Sequence, residues 1–484
     1  MIPLTLREVA EIVGGRVVDA DGALVVDGAA FLDTRAPEPG GLFVAFVGER
    51  ADGHDHALAA VDAGAAAVLG TRATGAPSVL VDDAQAALQE LARVVLLRRR
   101  DLPGPDGRPA PLTVVALTGS QGKTTAKDML AHVLAAQAPT VATAGSFNNE
   151  LGLPLTVLRT TLETRYLVLE MGARGIGHLA ELCAIARPDV ALVLNVGRAH
   201  IGEFGSQAAI AQAKGEIVEA LDDGLGVAVL NADDPLVSAM EQRTEAPVVL
   251  FGRAADADVR LGEVHLDDLG RPDFDLTVLD RTEHLTLRLL GAHQATNAAA
   301  TAGVARAVGV PFAEVAASLR SLERLSRWRM EVHERPDGVV VVNDAYNANP
   351  DSMRSALETL ARMGGRRRTV AVLGEMRELG GTADDEHRAV GHLARDLGID
   401  EVVVVGEGAV GIHTALLEES HATPTATRHV ATVDDAVAWV RENVRGPDVV
   451  LVKASRSGRL ERVAEQLLAD GGSDERPGGE EAPA

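Results

Sequence analysis

The chain has 484 residues and a net charge of −24, and 46% of the residues are hydrophobic although only 2% are aromatic. This length allows about two to four domains, and cores built from Ala, Val and Leu suit buried parallel strands and helices better than an aromatic-rich β-sandwich. The acidic balance argues against nucleic acid or an anionic membrane as a partner, because both need clustered Lys and Arg. The single cysteine, Cys183, excludes an intramolecular disulfide and a cysteine-based zinc site.

The N-terminal segment, residues 1–11, carries charge early and contains no long apolar core, so we do not expect a signal peptide. No uninterrupted apolar run elsewhere in the sequence is long enough to span a bilayer. The sequence therefore predicts a soluble, cytoplasmic protein.

Residues 1–100 mix short helical and extended patterns, which predicts a small α/β domain. The expected elements are helices over 4–13, 56–63 and 85–98 and strands over 42–47 and 65–69. Polar side chains follow strands in two loops, one with Asp33, Thr34 and Arg35 and the other with Asp52, Gly53 and His54. Such groups either bind a ligand or only shape the turn, and both interpretations stay open here.

A stretch dense in Pro and Gly, with no apolar period, follows this first region. It predicts a linker over residues 101–111. The arginines at 98–100, just before it, are expected to form a solvated helix end.

The most informative stretch is residues 114–125, Val-Val-Ala-Leu-Thr-Gly-Ser-Gln-Gly-Lys-Thr-Thr. Its apolar start predicts a buried strand, Gly119 and Gly122 break that strand, and apolar residues at helical spacing follow. This order is a phosphate-binding pattern, because glycines let backbone N–H groups approach phosphate at a helix N-terminus. Lys123 would add positive charge near the terminal phosphates, and the Thr124 hydroxyl can hold Mg²⁺.

The stretch differs from the general P-loop, because Leu117 stands where that pattern has a glycine. The alternative interpretation is a glycine-rich turn with an incidental surface lysine. Agreement of the strand, both glycines, the Lys and the Thr favours phosphate binding.

Strand and helix patterns alternate after this loop, and predicted strands end on polar side chains. The strand over 165–170 ends on Glu170, and the strand that begins near residue 189 leads to His200. Because open α/β folds bind ligands at the carboxyl ends of parallel strands, Glu170 is a candidate Mg²⁺ ligand with His200 near it. A lone histidine after a strand is also typical of an ordinary loop.

A helix expected over 208–221 carries Lys214, which a surface pairing with Glu216 or Glu219 would explain without any function. Residues 251–290 change to short alternating segments, which predict an antiparallel patch appended to the main sheet. A helix with many small residues then opens near His293.

A second boundary is expected near Leu325, and strand–helix alternation resumes beyond it. The predicted strands are 339–343, 369–373, 401–405 and 449–453, and the predicted helices are 350–363, 384–397, 434–444 and 460–468. This alternation predicts a parallel sheet covered on both faces. Residues 471–484 are poor in apolar residues and are expected to form a disordered tail.

Several of these motifs together resemble the Mur ligase family of ATP-dependent amide ligases. The resemblance rests on residues 118–125, 145–154, 170–173, 195–200, 213–216 and 293–297. Residues 343–353, Asn-Asp-Ala-Tyr-Asn-Ala-Asn-Pro-Asp-Ser-Met, are more discriminating and resemble the branch of the family that adds D-alanyl-D-alanine. The chain departs from the family pattern at Trp328 and Ala454, where the family usually has glycine, and Trp cannot reach every backbone conformation open to Gly.

The resemblance covers the whole chain except the tail and implies an α/β fold of three domains. These are a small α/β N-terminal domain over 1–100 that binds the UDP substrate, a central P-loop domain with a parallel sheet over 112–326, and a Rossmann-like C-terminal domain over 327–470. The implied reaction joins D-alanyl-D-alanine to UDP-N-acetylmuramoyl-tripeptide through an acyl phosphate, with release of ADP and phosphate. A monomer is expected.

The resemblance also implies residue roles, with ATP and Mg²⁺ as cofactors. Phosphates would lie on Gly119, Ser120, Gln121, Gly122, Lys123, Thr124 and Thr125, one Mg²⁺ on Thr124 and Glu170, and a second on His200 and a carbamylated Lys214. Asn297 would contact adenine, and Arg329, Asp344 and Tyr346 would reach the nucleotide from the C-terminal domain. The substrates would be held by Asn148, Asn149 and Lys453, with Asp33, Thr34 and Arg35 at the UDP end.

Two alternatives stay open. Another ATP-dependent amide ligase, such as the diaminopimelate- or lysine-adding Mur ligase or folylpolyglutamate synthase, would share the P-loop and the metal residues. Residues 343–353 and the N-terminal region argue against it. A nucleotide-dependent switch would share only the P-loop, and phosphate release that depends on an amino acid would separate it from a ligase.

Overall fold

Three large β-sheets follow one another along the part of the chain that the computed structural model describes, which is residues 1–48, 51–197, 204–267, 270–323, 326–418 and 425–470. Each sheet has its own helices, and the predicted α/β fold with three sheet-containing domains is confirmed. Within these ranges no helix combines the length and the apolar character needed to cross a bilayer.

The N-terminal sheet has the strand order β2-β7-β6-β5-β4, parallel except for β2 against β7, and a small antiparallel pair, β1 with β3, lies beside it. The strands are β1 (Leu4–Thr5), β2 (Arg16–Val18), β3 (Val25–Val26), β4 (Ala30–Phe31), β5 (Leu42–Val44), β6 (Ala67–Gly70) and β7 (Ser78–Leu80). The helices are α1 (Leu6–Val13), α2 (Ala57–Asp62) and α3 (Ala84–Asp101), with a 3-10 turn at Gly53–His56. Helix α3 packs on α1 and on the next domain, so the two cores are continuous.

The central sheet has the order β16-β15-β14-β13-β12-β11-β8-β10-β9 and is parallel from β14 to β9. Its strands are β8 (Thr113–Thr118), β9 (Thr140–Ala142), β10 (Tyr166–Glu170), β11 (Val190–Val193), β12 (Val227–Asn231), β13 (Val248–Gly252), β14 (Val259–Leu266), β15 (Pro272–Val278) and β16 (Arg281–Thr286). The last three form the predicted antiparallel patch, which is confirmed. Strand order diverges on both sides of β8, and a crevice for ligands forms at the carboxyl end of such a strand.

Helices cover both faces of the central sheet. They are α4 (Lys123–Ala135), α5 (Gly152–Val157), α6 (His178–Ile185), α7 (Gln207–Glu219), α8 (Pro235–Ser238), α9 (His293–Ala307) and α10 (Phe312–Ser321), with a 3-10 turn at Ala239–Arg243. Along β8, Val114 and Ala116 pack in one core, whereas Val115 and Leu117 pack in the other. A continuous apolar run is therefore the expected sequence for this strand, because both of its faces are buried.

The C-terminal sheet has the order β17-β18-β22-β19-β20-β21 and is parallel except for the edge strand β17. Its strands are β17 (Glu331–Glu334), β18 (Val340–Asp344), β19 (Thr369–Leu373), β20 (Glu401–Val405), β21 (Ala426–Val430) and β22 (Val449–Lys453). Its helices are α11 (Pro350–Gly364), α12 (Ala383–Asp396), α13 (Val410–Leu417), α14 (Val433–Asn443) and α15 (Glu461–Asp470), with 3-10 turns at Gly380–Thr382, Glu407–Ala409 and Arg456–Gly458. Separate apolar cores lie on the two faces of the sheet, as the alternation predicted.

The expected solvated helix end at residues 98–100 is wrong for Arg99, although Arg98 is exposed as expected. Arg99 is 0% exposed, and its guanidinium donates to the carbonyl oxygens of Thr161 (2.7 Å), Ala110 (3.1 Å), Leu162 (3.1 Å) and Thr164 (2.5 Å). The pKa of Arg99 is lowered, first by burial and then by the nearby charge of Arg165. The planar guanidinium suits this place because its N–H donors match a cluster of backbone carbonyls, which no single-sequence pattern reveals.

Candidate active site

The glycine loop lies at the carboxyl end of β8, and α4 begins at Lys123, as predicted. The amide oxygen of Asn195, at the end of β11, accepts from the backbone N–H groups of Ser120 and Gln121 at 3.0 Å each. Gly122 has φ +79°, and a Cβ there would lie 2.9 Å from Asn297 Oδ1. Both the left-handed backbone and the close approach of Asn297 therefore require glycine at this position.

Lys123 points back over the loop, and its ammonium donates to Gly119 O at 2.8 Å. The pKa of this ammonium is lowered, first by burial, and the nearby charge of Arg329 lowers it further while Glu170 and Glu378 oppose the shift. Two cations thus converge on the loop, and an anion between them would remove their repulsion.

Glu170 ends β10 beside the loop and is 1% exposed. Its Oε2 accepts from the Thr124 hydroxyl at 2.8 Å, and its Oε1 accepts from the Asn148 amide at 2.7 Å. A carboxylate and a hydroxyl this close form an oxygen donor pair of the kind that Mg²⁺ prefers. Among the described residues, no three His, Cys, Asp or Glu side chains converge as a ready-made metal site.

Lys214 on α7 is 4% exposed and lines the same crevice. Its pKa is held well below the usual value, first by burial and then by the positive charge of Lys123. The glutamates that would have explained this lysine as an ordinary surface pair are engaged elsewhere. Glu216 accepts from the Gly177 N–H at 2.6 Å, and Glu219 pairs with Arg243 at 2.8 Å.

The C-terminal domain contributes a second set of charges. Lys453, at the end of β22 and 2% exposed, donates to Asp344 Oδ2 at 2.5 Å and to Asn347 O at 2.9 Å. The Arg329 guanidinium lies 4.2 Å from the centre of the Tyr346 ring, and its Nε has no hydrogen-bond partner in the described part of the chain. Both carboxylate oxygens of Asp344 are hydrogen-bonded, because Oδ2 accepts from Lys453 and Oδ1 accepts from the Met330 N–H at 3.1 Å.

At Trp328, where the family usually has glycine, the backbone is left-handed with φ +61°, a conformation that favours glycine. Its carbonyl accepts from Tyr346 N at 3.2 Å, and the Arg456 guanidinium lies 4.2 Å from the centre of its ring. A cation–π contact of this kind stabilises by about 0.5–1 kcal/mol at exposed sites, which offsets part of the strain of about 1–3 kcal/mol for a non-glycine residue in this conformation.

These groups line one crevice of about 770 Å³ between the central and C-terminal domains. The predicted residues on its wall are Ser120, Gln121, Gly122, Lys123, Thr124, Thr125, Asn148, Asn149, Glu170, Lys214, Asn297, Arg329, Asp344, Tyr346 and Lys453. His200 lies outside the described residues.

The N-terminal candidates do not reach this crevice. Asp33, Thr34 and Arg35 lie in the loop after β4, where the Arg35 guanidinium donates to Asp33 at 2.7 to 3.1 Å. Hydrogen bonds from Arg35 lower the pKa of Asp33 to about 2. His54 is buried between Asp52, 2.6 Å away in the same turn, and Thr71 N, 2.9 Å away in the loop after β6, so both of its ring nitrogens have partners within the domain.

Other wall residues carry chemistry to which the sequence alone assigned no role. They are Ser146, Arg174, His178, Asn195, His293, Gln294, Arg377, Ser455 and Arg456. The place of Asn195 in the site could have been predicted, because this residue follows a strand next to the glycine loop. The others lie in loops, in short turns or in the first turn of α6 or α9, and only the tertiary structure brings them to the crevice.

Comparison with known proteins identifies the family. The Mur ligase middle domain matches residues 117–305, and the Mur ligase glutamate ligase domain matches residues 328–456. The UDP-N-acetylmuramoyl-tripeptide–D-alanyl-D-alanine ligase of Mycobacterium tuberculosis is 45% identical, over 97% of this chain and 98% of that relative.

Solved structures agree in fold along nearly the whole chain. MurF from Acinetobacter baumannii superposes with a TM-score of 0.82 at 28% identity, over 96% of this chain and 99% of that one. MurF ligase from Thermotoga maritima, solved in complex with ADP, gives a TM-score of 0.75 at 32% identity, over 92% of this chain and 97% of that one. The chain therefore belongs to the Mur ligase family.

Proposed function

We propose that this chain is an ATP-dependent amide ligase that joins D-alanyl-D-alanine to UDP-N-acetylmuramoyl-tripeptide in the cytoplasmic synthesis of peptidoglycan precursors. The observation that carries the proposal is the crevice in which Lys123, Thr124 and Glu170 face Arg329 and Asp344 of the next domain. The Mycobacterium tuberculosis relative named for this reaction matches the chain from end to end, which supports the choice of substrates.

A carboxylate must be activated before an amine can displace anything from it in water. ATP supplies this activation by phosphorylating the tripeptide carboxylate, and the amine of D-alanyl-D-alanine then displaces phosphate to leave the amide. The chain's part in phosphoryl transfer is positioning and neutralisation of charge. Lys123 and the backbone N–H groups from Gly119 to Thr125 would hold the β- and γ-phosphates, and Arg329 would approach them from the other side.

Thr124 and Glu170 fit a magnesium site, because both are buried oxygen donors 2.8 Å apart beside the phosphate loop. When bound, Mg²⁺ neutralises phosphate charge. Lys214 would complete a second site together with His200. Its lowered pKa favours the neutral amine, the form that can take up CO₂ as a carbamate, and a carbamate supplies the oxygen donors that an ammonium cannot.

The remaining roles follow from position on the wall. Asn297, packed on Gly122, would contact adenine, and Asp344 and Tyr346 would hold the nucleotide from the C-terminal side. Closing the two domains over the site would exclude water from the activated carboxylate.

Asn148, Asn149 and Lys453 would position the muramoyl-peptide. The N-terminal domain, with the division at residues 101–111, would hold the UDP end through Asp33, Thr34 and Arg35. Since Arg35 is exposed and already holds Asp33, its guanidinium is placed to move onto a diphosphate. A monomeric enzyme remains our expectation.

The test is phosphate release from ATP and Mg²⁺ with the two substrates, supplied singly and together. We expect release only when both are present, and loss of release in Lys123→Ala. Arg108→Ala removes a charge from the exposed linker and serves as the control with unchanged rate.

The two alternatives give different results in the same assay. Phosphate release with UDP-N-acetylmuramoyl-dipeptide and a diamino acid would instead identify the chain as the ligase that adds the third residue of the peptide. No release with any muramoyl substrate would refute the ligase proposal and leave a nucleotide-binding protein.

A further inference from the structure

A side-chain hydrogen bond joins the central domain to the C-terminal domain at the rim of the crevice. It links Ser146 Oγ to the Tyr346 hydroxyl. Ser146 belongs to residues 143–149, here called the rim loop, which runs from the end of β9 to α5. Both residues line the crevice, yet the hydroxyl of Ser146 has no part in the chemistry described above.

The rim loop is anchored to the phosphate-binding helix α4. The Lys127 ammonium, 2% exposed, donates to Thr143 O at 2.8 Å and to Gly145 O at 3.3 Å. The loop also contacts the metal site, since Ser146 O accepts from Asn148 N at 2.8 Å while the Asn148 side chain donates to Glu170. A shift of Ser146 is therefore transmitted through one tight turn to the Glu170 carboxylate.

On the other side of the hydrogen bond, Tyr346 supports Arg329. The guanidinium stacks 4.2 Å from the centre of the ring, so fixing the phenol also fixes the cation. Arg329 Nε is buried without a partner among the described residues, and the side chain lines the crevice. The hydrogen bond thus sets the distance between Arg329 and the glycine loop.

Two positive charges that face each other across the crevice favour an uncharged contact between the domains. Arg329 is near enough to Lys123 to help lower the pKa of the Lys123 ammonium, so the two cations repel each other across the crevice. A neutral hydrogen bond between hydroxyl groups adds cohesion between the domains without adding charge. It also leaves both cations available for an anion.

We propose that Ser146 is a positioning residue that acts through Tyr346: their hydrogen bond holds the two domains together and sets Arg329 and Asn148 at the same time. The kinetic part of this proposal rests on the proposed ligase function. The structural part does not, because the contact joins two side chains of the protein itself.

The first test measures the distance between the domains in the ligand-free protein. Spin labels at Asp223→Cys and Glu442→Cys, both at exposed positions, report on the central and C-terminal domains, while the native thiol is buried. We expect Ser146→Ala and Tyr346→Phe to broaden the distance distribution. Tyr166→Phe removes the other tyrosine hydroxyl, at the opposite end of the central sheet, and is the matched control.

The second test is kinetic. Ser146→Ala should lower kcat by about 2- to 13-fold, the range for one lost hydrogen bond, with a smaller change in the KM for D-alanyl-D-alanine and no change in thermal stability. Ser146→Thr keeps the hydroxyl and should restore the rate. The double variant should be no slower than the slower single variant, because both remove the same bond.

Failure of the positioning role of Ser146 and failure of the proposed ligase function give different results. Unchanged distance distributions in Ser146→Ala and Tyr346→Phe would overturn the positioning role, whatever the kinetics show. Strictly multiplicative losses in the double variant would also overturn it. A wild-type protein that is inactive with both substrates would refute the ligase proposal, while the distance measurement would still decide the hydrogen bond.

Discussion

Replacement of Arg99 by Met is the sharpest test of the fold, because it removes a buried cation that joins three segments of the chain. The guanidinium connects α3 to the linker through Ala110 O and to the loop before β10 through Thr161, Leu162 and Thr164. Met fills a similar volume but donates no hydrogen bond. Ala110 O and Thr164 O then lose their charged donor, whereas Thr161 O keeps the bond from Thr164 N (3.2 Å) and Leu162 O keeps the bond from Arg165 Nη1 (3.3 Å).

The magnitude follows from two opposing contributions. A hydrogen bond from a charged donor stabilises by about 1.5–3 kcal/mol, and the four bonds named here are all 3.1 Å or shorter. Against this stands a desolvation cost of several kcal/mol for the ion. We expect a net loss of about 3–5 kcal/mol, since removing one side of a buried polar cluster leaves the other side unsatisfied.

Calorimetry or thermal unfolding followed by circular dichroism measures the effect, and a domain of the size of the central domain should lose about 6–20 °C in Tm. Arg98→Met is the matched control, because Arg98 and its partner Glu8 are each 42% exposed and such a pair contributes about 0–1 kcal/mol. If Arg99→Met were as stable as the control, desolvation would outweigh the hydrogen bonds and the reasoning would be wrong.

Three further outcomes are expected. Gly122→Ala should lower the rate of phosphate release at least about 10-fold with little loss of folding, because an L-residue is strained at φ +79° and its Cβ would press on Asn297; equal rates would contradict this. Burial and the charge of Lys123 hold the pKa of Lys214 well below its usual range, which favours the neutral amine, and the amine regains its proton as the pH falls. Activity should therefore fall on acidification and in CO₂-free buffer, and return with bicarbonate, whereas bicarbonate without effect would argue against a carbamate. Burial raises the pKa of Cys183 to about 12, so a thiol reagent at pH 8 should label the protein only after unfolding, and rapid native labelling would contradict the buried position.

Local sequence patterns were sufficient to predict those helices and strands that depend mainly on residues close in the chain. The strands over 369–373, 401–405 and 449–453 agree with the structure in both bounds, because short apolar runs between helical segments leave few alternatives. Helices α5, α6, α10 and α13 were not predicted. Their hydrophobic periods are short or weak, and packing on the sheets rather than propensity stabilises them.

The residues of the site also fall into those that a local sequence pattern predicts and those that it does not. The strand, the glycines and Lys123 are contiguous, so their phosphate-binding geometry could be predicted from spacing alone. Glu170 followed from its place at a strand end. Two other contacts join residues far apart in the chain. They are the hydrogen bonds from the glycine loop to Asn195 and the stacking of Arg329 on Tyr346, and no local sequence pattern predicts them.

The sequence by itself determined the α/β class, the glycine loop, the parallel sheets and the resemblance that named the reaction, because these depend on local order of residue types. Tertiary structure alone decided that Arg99 is buried, that Lys214 is desolvated beside Lys123, and that Trp328 adopts a left-handed backbone. Burial and charge–charge contact depend on which distant segments meet. That is a property of the folded chain, and it is also what places Arg329 opposite the phosphate loop.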